Sequence, residues 1–360
     1  MIVHLSAALA RRGHRVDLLQ LHDWHPDRYA GQLRALDVAG VTRISVAGPR
    51  RPGRAAARIA YDRGTDLVHL HGAFNPSITS VGRALRIPYV FSPHSGYDPV
   101  SLQRSRLRKR LYRALFERSL IARAARIVAL TDAEHQDIRA FGAVRPCDVI
   151  PNGVVPPRDD LDVHAFRRRL AISPEVPLAV FVGRLDVHRK GLDLMVRGVA
   201  DASPWHLALV GPRFKDVERV EAMINDLRVD ARVHLTGALH GRELLESMAG
   251  ADVFMLLSRW EGFPMALLEA FSLGLPAIVS QAVDRAVAVE ARGAGWVTTG
   301  TDVADVLRAV DRDELETRGR MAREFAASYN WDSIAEAYEE FYARAVEGTR
   351  QEAVDLRARE

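Results

Sequence analysis

Two glutamates in the second half of the chain are spaced to hold the two ends of one extended ligand. Glu261 follows a strand-like run, Val253–Leu257, and Glu269 lies eight positions later in a segment with helical character. Within one helix that spacing separates two carboxylates by about 12 Å, too far to share a proton or a metal ion. Pro264 suits a first helical turn, whose free N–H groups can bind a diphosphate. The alternative is an ordinary helix carboxylate and a turn residue.

A second group of residues could neutralise a diphosphate. Phe181 and Val182 close a predicted strand, and Gly183 permits a close approach of the backbone. Arg184 and Lys190 follow in a loop that leads into a predicted helix. Two cations beside a helix start are what a metal-free site needs to stabilise a leaving diphosphate. Surface cations around a turn are the other interpretation.

Short apolar runs alternate with helical patterns along the chain, which is typical of repeated βαβ units with a parallel sheet. The predicted strands of the first half are Val16–Gln20, Leu67–His71, Tyr89–Ser92, Ile127–Leu130 and Val149–Ile150. Those of the second half are Ala179–Val182, Leu207–Val210, Val233–Leu235, Val253–Leu257 and Ala277–Ser280. Predicted helices include Asn75–Leu85, Gln103–Arg123 and Trp331–Ala345. The proline-rich stretch 151–177 predicts a linker, so we expect two α/β domains that divide near residue 155.

The start of the chain has helical rather than strand character. Leu5, Ala8 and Leu9 share one helical face, and Gly13 stands where a helix would end. A doubly wound domain normally begins with a strand and a glycine loop. We therefore expect that both are missing here, either because the recorded start lies about 20–30 residues downstream of the true one or because they have been lost.

Composition excludes several classes of protein. The chain has 360 residues, of which 48% are hydrophobic and 27% charged, so it is a folded globular protein. It lacks a run of roughly 18 apolar residues, the length that crosses a membrane. Cys147 is the single cysteine, which excludes internal disulfides and cysteine-based zinc sites and favours a cytoplasmic location. A net charge of +4 is too small for a nucleic-acid-coating surface.

Motifs throughout the chain resemble those of family-4 retaining glycosyltransferases. In the second half they are Gly183-Arg184-Leu185 with Lys190-Gly191, Val210-Gly211-Pro212, and Glu261-Gly262-Phe263-Pro264 with Glu269-Ala270. Upstream they are Pro151-Asn152-Gly153-Val154 and Ala129-Leu130-Thr131 with Glu134, the latter also a capping box. His69-Leu70-His71-Gly72 and Ser92-Pro93-His94 with Asp98-Pro99 look like members that build bacterial surface polysaccharides. The resemblance covers residues 2–345.

The resemblance implies a GT-B architecture, in which two Rossmann-like α/β domains face each other across a cleft. The acceptor-side domain would span residues 1–155, and the nucleotide-sugar domain residues 156–330. Residues 331–360 would form a helix that packs back towards the first domain, followed by a charged tail.

The resemblance also assigns roles to individual residues. Arg184 and Lys190 would bind the donor diphosphate, Glu261 the donor sugar and Glu269 the ribose. His94 would lie next to the transferred sugar, although Ser95 stands where many relatives have glycine. The implied catalytic residues are His94, Arg184 and Lys190. The implied donor site comprises Gly183, Arg184, Lys190, Glu261, Gly262, Phe263, Pro264 and Glu269.

The implied reaction transfers a hexose (EC 2.4) from a UDP- or GDP-linked donor to a hydroxyl of a glycan or lipid-linked acceptor. We expect retention of anomeric configuration, no cofactor, no metal and a role in surface-polysaccharide synthesis. The metal-binding string Asp-x-Asp occurs at Asp160-Leu-Asp162 and Asp311-Arg-Asp313, in the predicted linker and in a charged late segment. An inactive nucleotide-sugar-binding or scaffold protein of the same descent is the alternative. A GT-B epimerase or phosphorylase is a further one.

The segment Arg104–Arg126 has nine basic residues and one acid, with leucines at near-helical spacing. A basic amphipathic helix can lie on an anionic membrane, which would place the protein at the inner face of the membrane. The other interpretation is a helix that faces the core and carries arginines on its outer side.

Overall fold

The computed structural model describes residues 1–21, 33–46, 52–103, 105–157, 160–214 and 217–357. Contacts divide the chain into two compact units. The first unit is Met1–Gly153 together with the C-terminal helix that begins at Trp331, and the second unit is Val154–Asn330. None of the described helices is long and apolar enough to cross a membrane.

The described strands of the first unit form two parallel sheets. They are β1 (Asp17–Gln20), β2 (Thr42–Ser45), β3 (Val68–His71), β4 (Tyr89–Ser92), β5 (Arg126–Ala129) and β6 (Cys147–Val149). Strands β1 and β2 pair with each other, and the other four are ordered β3-β4-β5-β6. The sequence predicts five of these strands to within two residues. It misses β2, because three of its four residues are exposed and the strand lacks apolar alternation.

Helices cover both faces of the four-stranded sheet, as a parallel sheet requires. They are Ile2–Arg11, residues 33–38, Pro52–Asp62, Pro76–Ala84, Pro99–Gln103, Arg106–Tyr112, Arg118–Arg123, Asp132–Ala140 and Trp331–Arg357, with a π-helical turn at Arg113–Glu117. On one face, Val90 and Val128 pack against the first and last of these helices. The predicted helical face of Leu5, Ala8 and Leu9 lies in this cluster.

Three helix predictions need correction. The predicted helix Gln103–Arg123 begins at Arg106, because Ser105 has a left-handed backbone with φ of 55°. Arg126 belongs to β5, and Arg104 lies outside the described residues. The last helix extends to Arg357 rather than ending near Ala345. An ion pair of 2.6 Å between Arg145 and Glu352 ties its final turns to the first unit.

The second unit has one six-stranded parallel sheet. Its strands are β7 (Leu178–Val182), β8 (His206–Val210), β9 (Val233–Gly237), β10 (Val253–Leu256), β11 (Ala277–Ser280) and β12 (Gly295–Thr298). Their order, β9-β8-β7-β10-β11-β12, is that of a Rossmann fold. The edge strand β12 is the one that the sequence misses. The helices are Ala165–Arg169, Val187–Lys190, Leu192–Asp201, Val217–Asp226, Gly241–Ala249, Met265–Ser272, Gln281–Val287, Val303–Ala309 and Arg312–Ala327.

The prediction of a linker over residues 151–177 is wrong for its second half. This stretch contains the helix Ala165–Arg169, and the Arg167 side chain is only 8% exposed. Arg167 donates to the carbonyls of Val176 and Gly250 and pairs with Asp252 at 2.7 Å. Prolines and aspartates suggested a linker, but the buried arginine fastens this segment to the second unit.

Candidate functional site

The two predicted donor-binding blocks follow two adjacent strands, β7 and β10. The chain crosses from one side of the sheet to the other between these strands, and ligands of open α/β sheets bind at that point, beyond the carboxyl ends. Gly183 and Arg184 come directly after β7. Glu261 and Pro264 come in the loop after β10. The fold therefore places both blocks at the position where such a sheet binds its ligand.

Lys190 and Glu261 are in direct contact. The Lys190 Nζ lies 2.5 Å from the Glu261 Oε2, and the two side chains are only 16% and 9% exposed. The Ser258 hydroxyl donates a second hydrogen bond of 3.1 Å to the same oxygen. The sequence suggested both charged residues but missed Ser258, which carries no motif signal. The site thus contains a nearly buried cation that already has an anionic partner.

Two glycines allow the backbones around this pair to approach each other. A Cβ on Gly191, which has φ of +68°, would lie 2.1 Å from the Leu257 carbonyl oxygen. A Cβ on Gly211 would lie 1.7 Å from the Gly183 carbonyl oxygen. Both contacts are with backbone atoms, so a side chain could be accommodated only if the loops moved. These glycines bring the loops that follow β7, β8 and β10 together.

Arg259 fastens the loop after β10 to the helices after β7. Its guanidinium pairs with Asp193 at 2.7 Å, and its backbone N–H donates to the Arg189 carbonyl at 2.9 Å. The Arg189 guanidinium lies 3.8 Å from the centre of the Trp260 ring. These contacts were not predicted, because nothing in the sequence shows which arginine faces which loop. They hold Glu261 and Lys190 in place from outside the pair.

Arg184 differs from Lys190 in that its side chain is exposed. Its guanidinium lies 5.2 Å from the centre of the Phe214 ring and, within the described ranges, forms no ion pair. It is therefore available to an anionic ligand at the end of β7.

The other residues of the predicted donor site lie at the start of the helix Met265–Ser272. Pro264 is its N-cap rather than part of its first turn, and no side chain caps the free N–H groups. Gly262 is half-buried, and Phe263 packs 6.4 Å from the Tyr329 ring. The Glu269 carboxylate has no hydrogen-bond partner among the described residues. Burial raises the pKa of Glu269.

In the first unit, His94 is the last of three neighbouring histidines. Its Nε2 lies 3.0 Å from the Nδ1 of His71, whose ring is 3.9 Å from that of His69. His69 in turn lies 2.7 Å from the Ser92 hydroxyl and 2.8 Å from the Tyr342 hydroxyl. The motif residues of β3 and β4 thus form one polar row, and the last helix fixes its far end.

Burial keeps these imidazoles neutral. It lowers the pKa of His69 to about 3 and that of His94 to about 4, and it also lowers the pKa of His71. Charge repulsion between neighbouring rings acts in the same direction for His69 and His71. At neutral pH, one imidazole of the His71–His94 contact therefore donates its N–H to the lone pair of the other.

The loop that carries His94 has a strained backbone. His94 and Ser95 have φ of 53° and 56°, a conformation that costs non-glycine residues about 1–3 kcal/mol each. The Glu134 carboxylate stabilises it by accepting from the Ser95 N–H and from the Leu130 N–H. The Thr131 hydroxyl caps the Glu134 N–H at 3.1 Å, which is the first half of the predicted capping box. The Glu134 carboxylate accepts from Leu130 and Ser95 rather than from the Thr131 N–H, so the second half is not formed. Ser95 has a left-handed backbone, which glycine adopts more readily.

The lowered histidine pKa values predict that the first unit loses stability as the pH falls from about 6.5 to about 4. Unfolded histidines take up protons near pH 6.5, whereas folded His69 and His94 do so only near pH 3 and 4. Protons therefore favour the unfolded state in that window. We expect the denaturant midpoint to drop between pH 7.5 and pH 5, and His69→Gln to reduce that drop. The exposed His164→Gln control should keep the wild-type drop; an unchanged drop in His69→Gln would contradict the argument.

Both Asp-x-Asp strings make structural contacts. Asp160 pairs with Arg242 at 2.8 Å, and Asp162 pairs with Arg168 at 2.5 Å. Asp311 caps the helix Arg312–Ala327 by accepting from the Glu314 N–H at 2.8 Å.

Family models match both units of the chain. The model described as "Glycosyl transferases group 1" matches residues 162–328, and that described as "Glycosyl transferase 4-like domain" matches residues 1–153. A D-inositol 3-phosphate glycosyltransferase of Nocardia farcinica is 30% identical over 306 residues, which are 78% of this chain and 67% of that protein. The chain belongs to the group 1 glycosyltransferases. The family and the enzyme class expected from the motifs are confirmed.

Further comparisons agree with this assignment. The GDP-mannose:cellobiosyl-diphosphopolyprenol alpha-mannosyltransferase of Xanthomonas campestris is 26% identical to this glycosyltransferase, over 87% of this chain and 83% of that protein. The structure of HepE from Anabaena in complex with UDP and glucose matches with a TM-score of 0.77 and 18% identity. It covers 95% of this chain and 94% of that one. The glycosyltransferase has the predicted GT-B fold with two α/β domains.

Proposed function

We propose that this glycosyltransferase transfers a hexose from a UDP- or GDP-linked donor to a hydroxyl of a phosphorylated, glycan or lipid-linked acceptor. The observation that carries this proposal is the arrangement after β7 and β10, where Arg184, Lys190 and an uncapped helix N-terminus supply positive charge. A nucleotide diphosphate is the anion that such a site at a Rossmann strand crossing accommodates. The names of the inositol-phosphate and polyprenol-linked relatives support the acceptor class.

In the proposed reaction, the anomeric carbon loses its bond to the diphosphate oxygen and forms one to the acceptor oxygen on the same face. The leaving phosphate takes the acceptor proton. Arg184, Lys190 and the N–H groups at Met265 stabilise the charge that grows on the diphosphate. Glu261 accepts from the sugar hydroxyls and Glu269 from the ribose. In the first unit, His94 is the candidate contact for the transferred sugar.

The proposal includes neither a metal ion nor a cofactor, because the cations and the helix N-terminus already provide the charge that the diphosphate needs. We also propose, from the relatives with glycan and lipid-linked acceptors, that the enzyme acts in the cytoplasm in the synthesis of bacterial surface polysaccharide.

Thermal unfolding with UDP, GDP or ADP in buffer containing EDTA tests the donor site. A nucleotide at 100 times its dissociation constant adds about 2.7 kcal/mol, so one of the three is expected to raise the melting temperature clearly. Glu269→Ala should remove that rise, whereas Glu316→Ala, an exposed glutamate of the same unit, should keep it. If no nucleotide stabilises the wild type, an inactive scaffold protein becomes the better interpretation. A rise that appears only without EDTA would contradict metal independence.

We further propose that the helix Arg106–Tyr112 and the turn after it contact an anionic membrane. Leu107, Leu111 and Leu115 are 78%, 63% and 57% exposed and lie between arginines. Such a stripe inserts between acyl chains while the guanidinium groups bind lipid phosphates. Leu107→Ser with Leu111→Ser should reduce sedimentation with phosphatidylglycerol vesicles at least tenfold. Val144→Ser, which alters an equally exposed side chain elsewhere in the unit, should leave it unchanged. Sedimentation that is independent of anionic lipid would refute the contact.

A further inference from the structure

A cavity of about 590 Å³ lies in the first unit, next to the arginine-rich helix. Four of its lining residues are cations: Arg106, Lys109, Arg110 and Arg113. Its other walls are Phe74, Pro99, Leu102, Gln103 and Phe141. None of the described residues that line this space is a carboxylate, so its electrostatic potential is positive and attracts an anion.

The aromatic floor of this cavity is held rigidly by one buried glutamate. Glu117, in the π-helical turn, accepts from the Tyr97 hydroxyl at 2.7 Å and from the Phe74 N–H at 3.0 Å. The Tyr97 ring stacks on that of Phe141 at 4.0 Å, and Phe74 meets Phe141 edge to face. Glu117 thus connects the loops after β3 and β4 to the segment that carries the cations. These contacts brace the floor of the cavity.

The cations differ in how far they are already engaged. Lys109 Nζ donates to the Ser101 carbonyl at 2.5 Å and lies 4.9 Å from the Phe74 ring centre. Arg113 donates to the Phe141 carbonyl and stacks over its ring at 4.3 Å. Arg106 and Arg110 are exposed and have no acidic partner in the ranges that the structure describes. Lys109 and Arg113 are therefore fixed in the cavity walls, whereas Arg106 and Arg110 are available to bind a ligand.

The cavity lies beside the segments that follow β3 and β4, in the unit that is proposed to bind the acceptor. Phe74 follows β3, and Pro99 and Leu102 follow β4. His94 lies in the loop after the same strand β4. The cavity is therefore at the carboxyl end of the first unit's sheet, where an α/β fold binds its ligand.

We propose that this cavity binds a phosphate or diphosphate ester group of the acceptor. This inference rests on the proposed function, because it takes the first unit to bind the acceptor. Guanidinium groups bind phosphate oxygens in a bidentate manner, and the four cations more than balance the negative charge of a diphosphate ester. A free phosphorylated polyol and a polyprenyl diphosphate in a membrane share this chemistry.

Titration calorimetry with inorganic pyrophosphate on the full chain tests the site. The Arg184→Ala background removes one of the proposed donor contacts for diphosphate, and Lys190 remains paired with Glu261 there. In that background, Arg106→Gln with Arg110→Gln should weaken pyrophosphate binding roughly 100-fold, since each charged hydrogen-bond partner contributes about tenfold or more. Arg108→Gln with Arg118→Gln removes the same charge from exposed positions outside the cavity and should change the affinity less than threefold.

Equal affinities in the two variants would overturn the proposal, as would an Arg184→Ala chain that fails to bind pyrophosphate at millimolar concentration. Glycerol 3-phosphate and a polyprenyl diphosphate in phosphatidylcholine vesicles then distinguish the two sources of the group. The acceptor class is the source whose binding is lost in Arg106→Gln with Arg110→Gln but kept in Arg108→Gln with Arg118→Gln. This result does not depend on a nucleotide binding to the second unit, so failure of the donor site and failure of the cavity site give different outcomes.

Discussion

Replacing Arg184 with alanine is expected to lower the turnover of this glycosyltransferase roughly several hundredfold, the usual effect of losing one charge-stabilising donor. Arg184 has an exposed side chain, and its guanidinium lies over the Phe214 ring. Stability should therefore change by less than about 1 kcal/mol, the usual scale for an exposed cation–π contact. The two effects separate because, in the proposed mechanism, the guanidinium acts on the developing charge of the diphosphate rather than on the fold.

Steady-state turnover and denaturant unfolding of the same preparation measure both effects. Arg197→Ala is the matched control, because it removes an exposed arginine from the helix Leu192–Asp201 of the same unit. It should retain wild-type turnover. Turnover of Arg184→Ala within threefold of the wild type would remove Arg184 from the mechanism.

Lys190→Met is expected to destabilise the second unit by about 3 kcal/mol and to lower turnover at least 100-fold. The lysine and Glu261 are both nearly buried, so its removal leaves an uncompensated carboxylate in the protein interior. Chemical denaturation monitored for the second unit gives the change in unfolding free energy, and a transfer assay gives the change in turnover.

The double variant Lys190→Met with Glu261→Gln separates the structural role of the pair from its role towards the donor. Neutralising both partners removes the isolated buried charge, so most of the lost stability should return. Turnover should stay low, because the diphosphate has lost the lysine and the sugar hydroxyls have only a neutral amide oxygen in place of the carboxylate. If turnover recovers together with stability, the ion pair is structural and the donor site lies elsewhere.

Much of the fold could be predicted because the core strands carry continuous apolar runs. Strand β7 and its neighbours β8 and β10 are buried on both faces, and such strands can be predicted from their apolar runs alone. The edge strands β2 and β12 could not be predicted, since exposed or mixed residues dilute their pattern. The burial of Arg167 could not be predicted either, because an arginine in a proline-rich stretch is normally exposed.

From the sequence, the candidate site could be predicted only through its charged residues and their spacing. Arg184, Lys190 and Glu261 stand out in motifs, and the sheet brings their loops together. The hydrogen bond of Ser258 to Glu261 and the ion pair of Arg259 with Asp193 could not be predicted. They depend on which loops meet, and that is a property of the tertiary structure. The cationic cavity is likewise built from segments about 70 residues apart, as the positions of Phe74 and Phe141 show.

The contact between Lys190 and Glu261 has a consequence for selectivity. A free phosphate ion that paired with the Lys190 ammonium group would separate it from the Glu261 carboxylate. That carboxylate is only 9% exposed, and the Ser258 hydroxyl would then be left as its hydrogen-bond partner. A sugar diphosphate presents an anion and hydroxyl donors on one molecule, so it can replace both halves of the pair together. The proposed donor site is therefore selective for a ligand that carries both an anionic diphosphate and hydroxyl donors. We expect the abundant inorganic anions of a cell to compete with the donor only weakly.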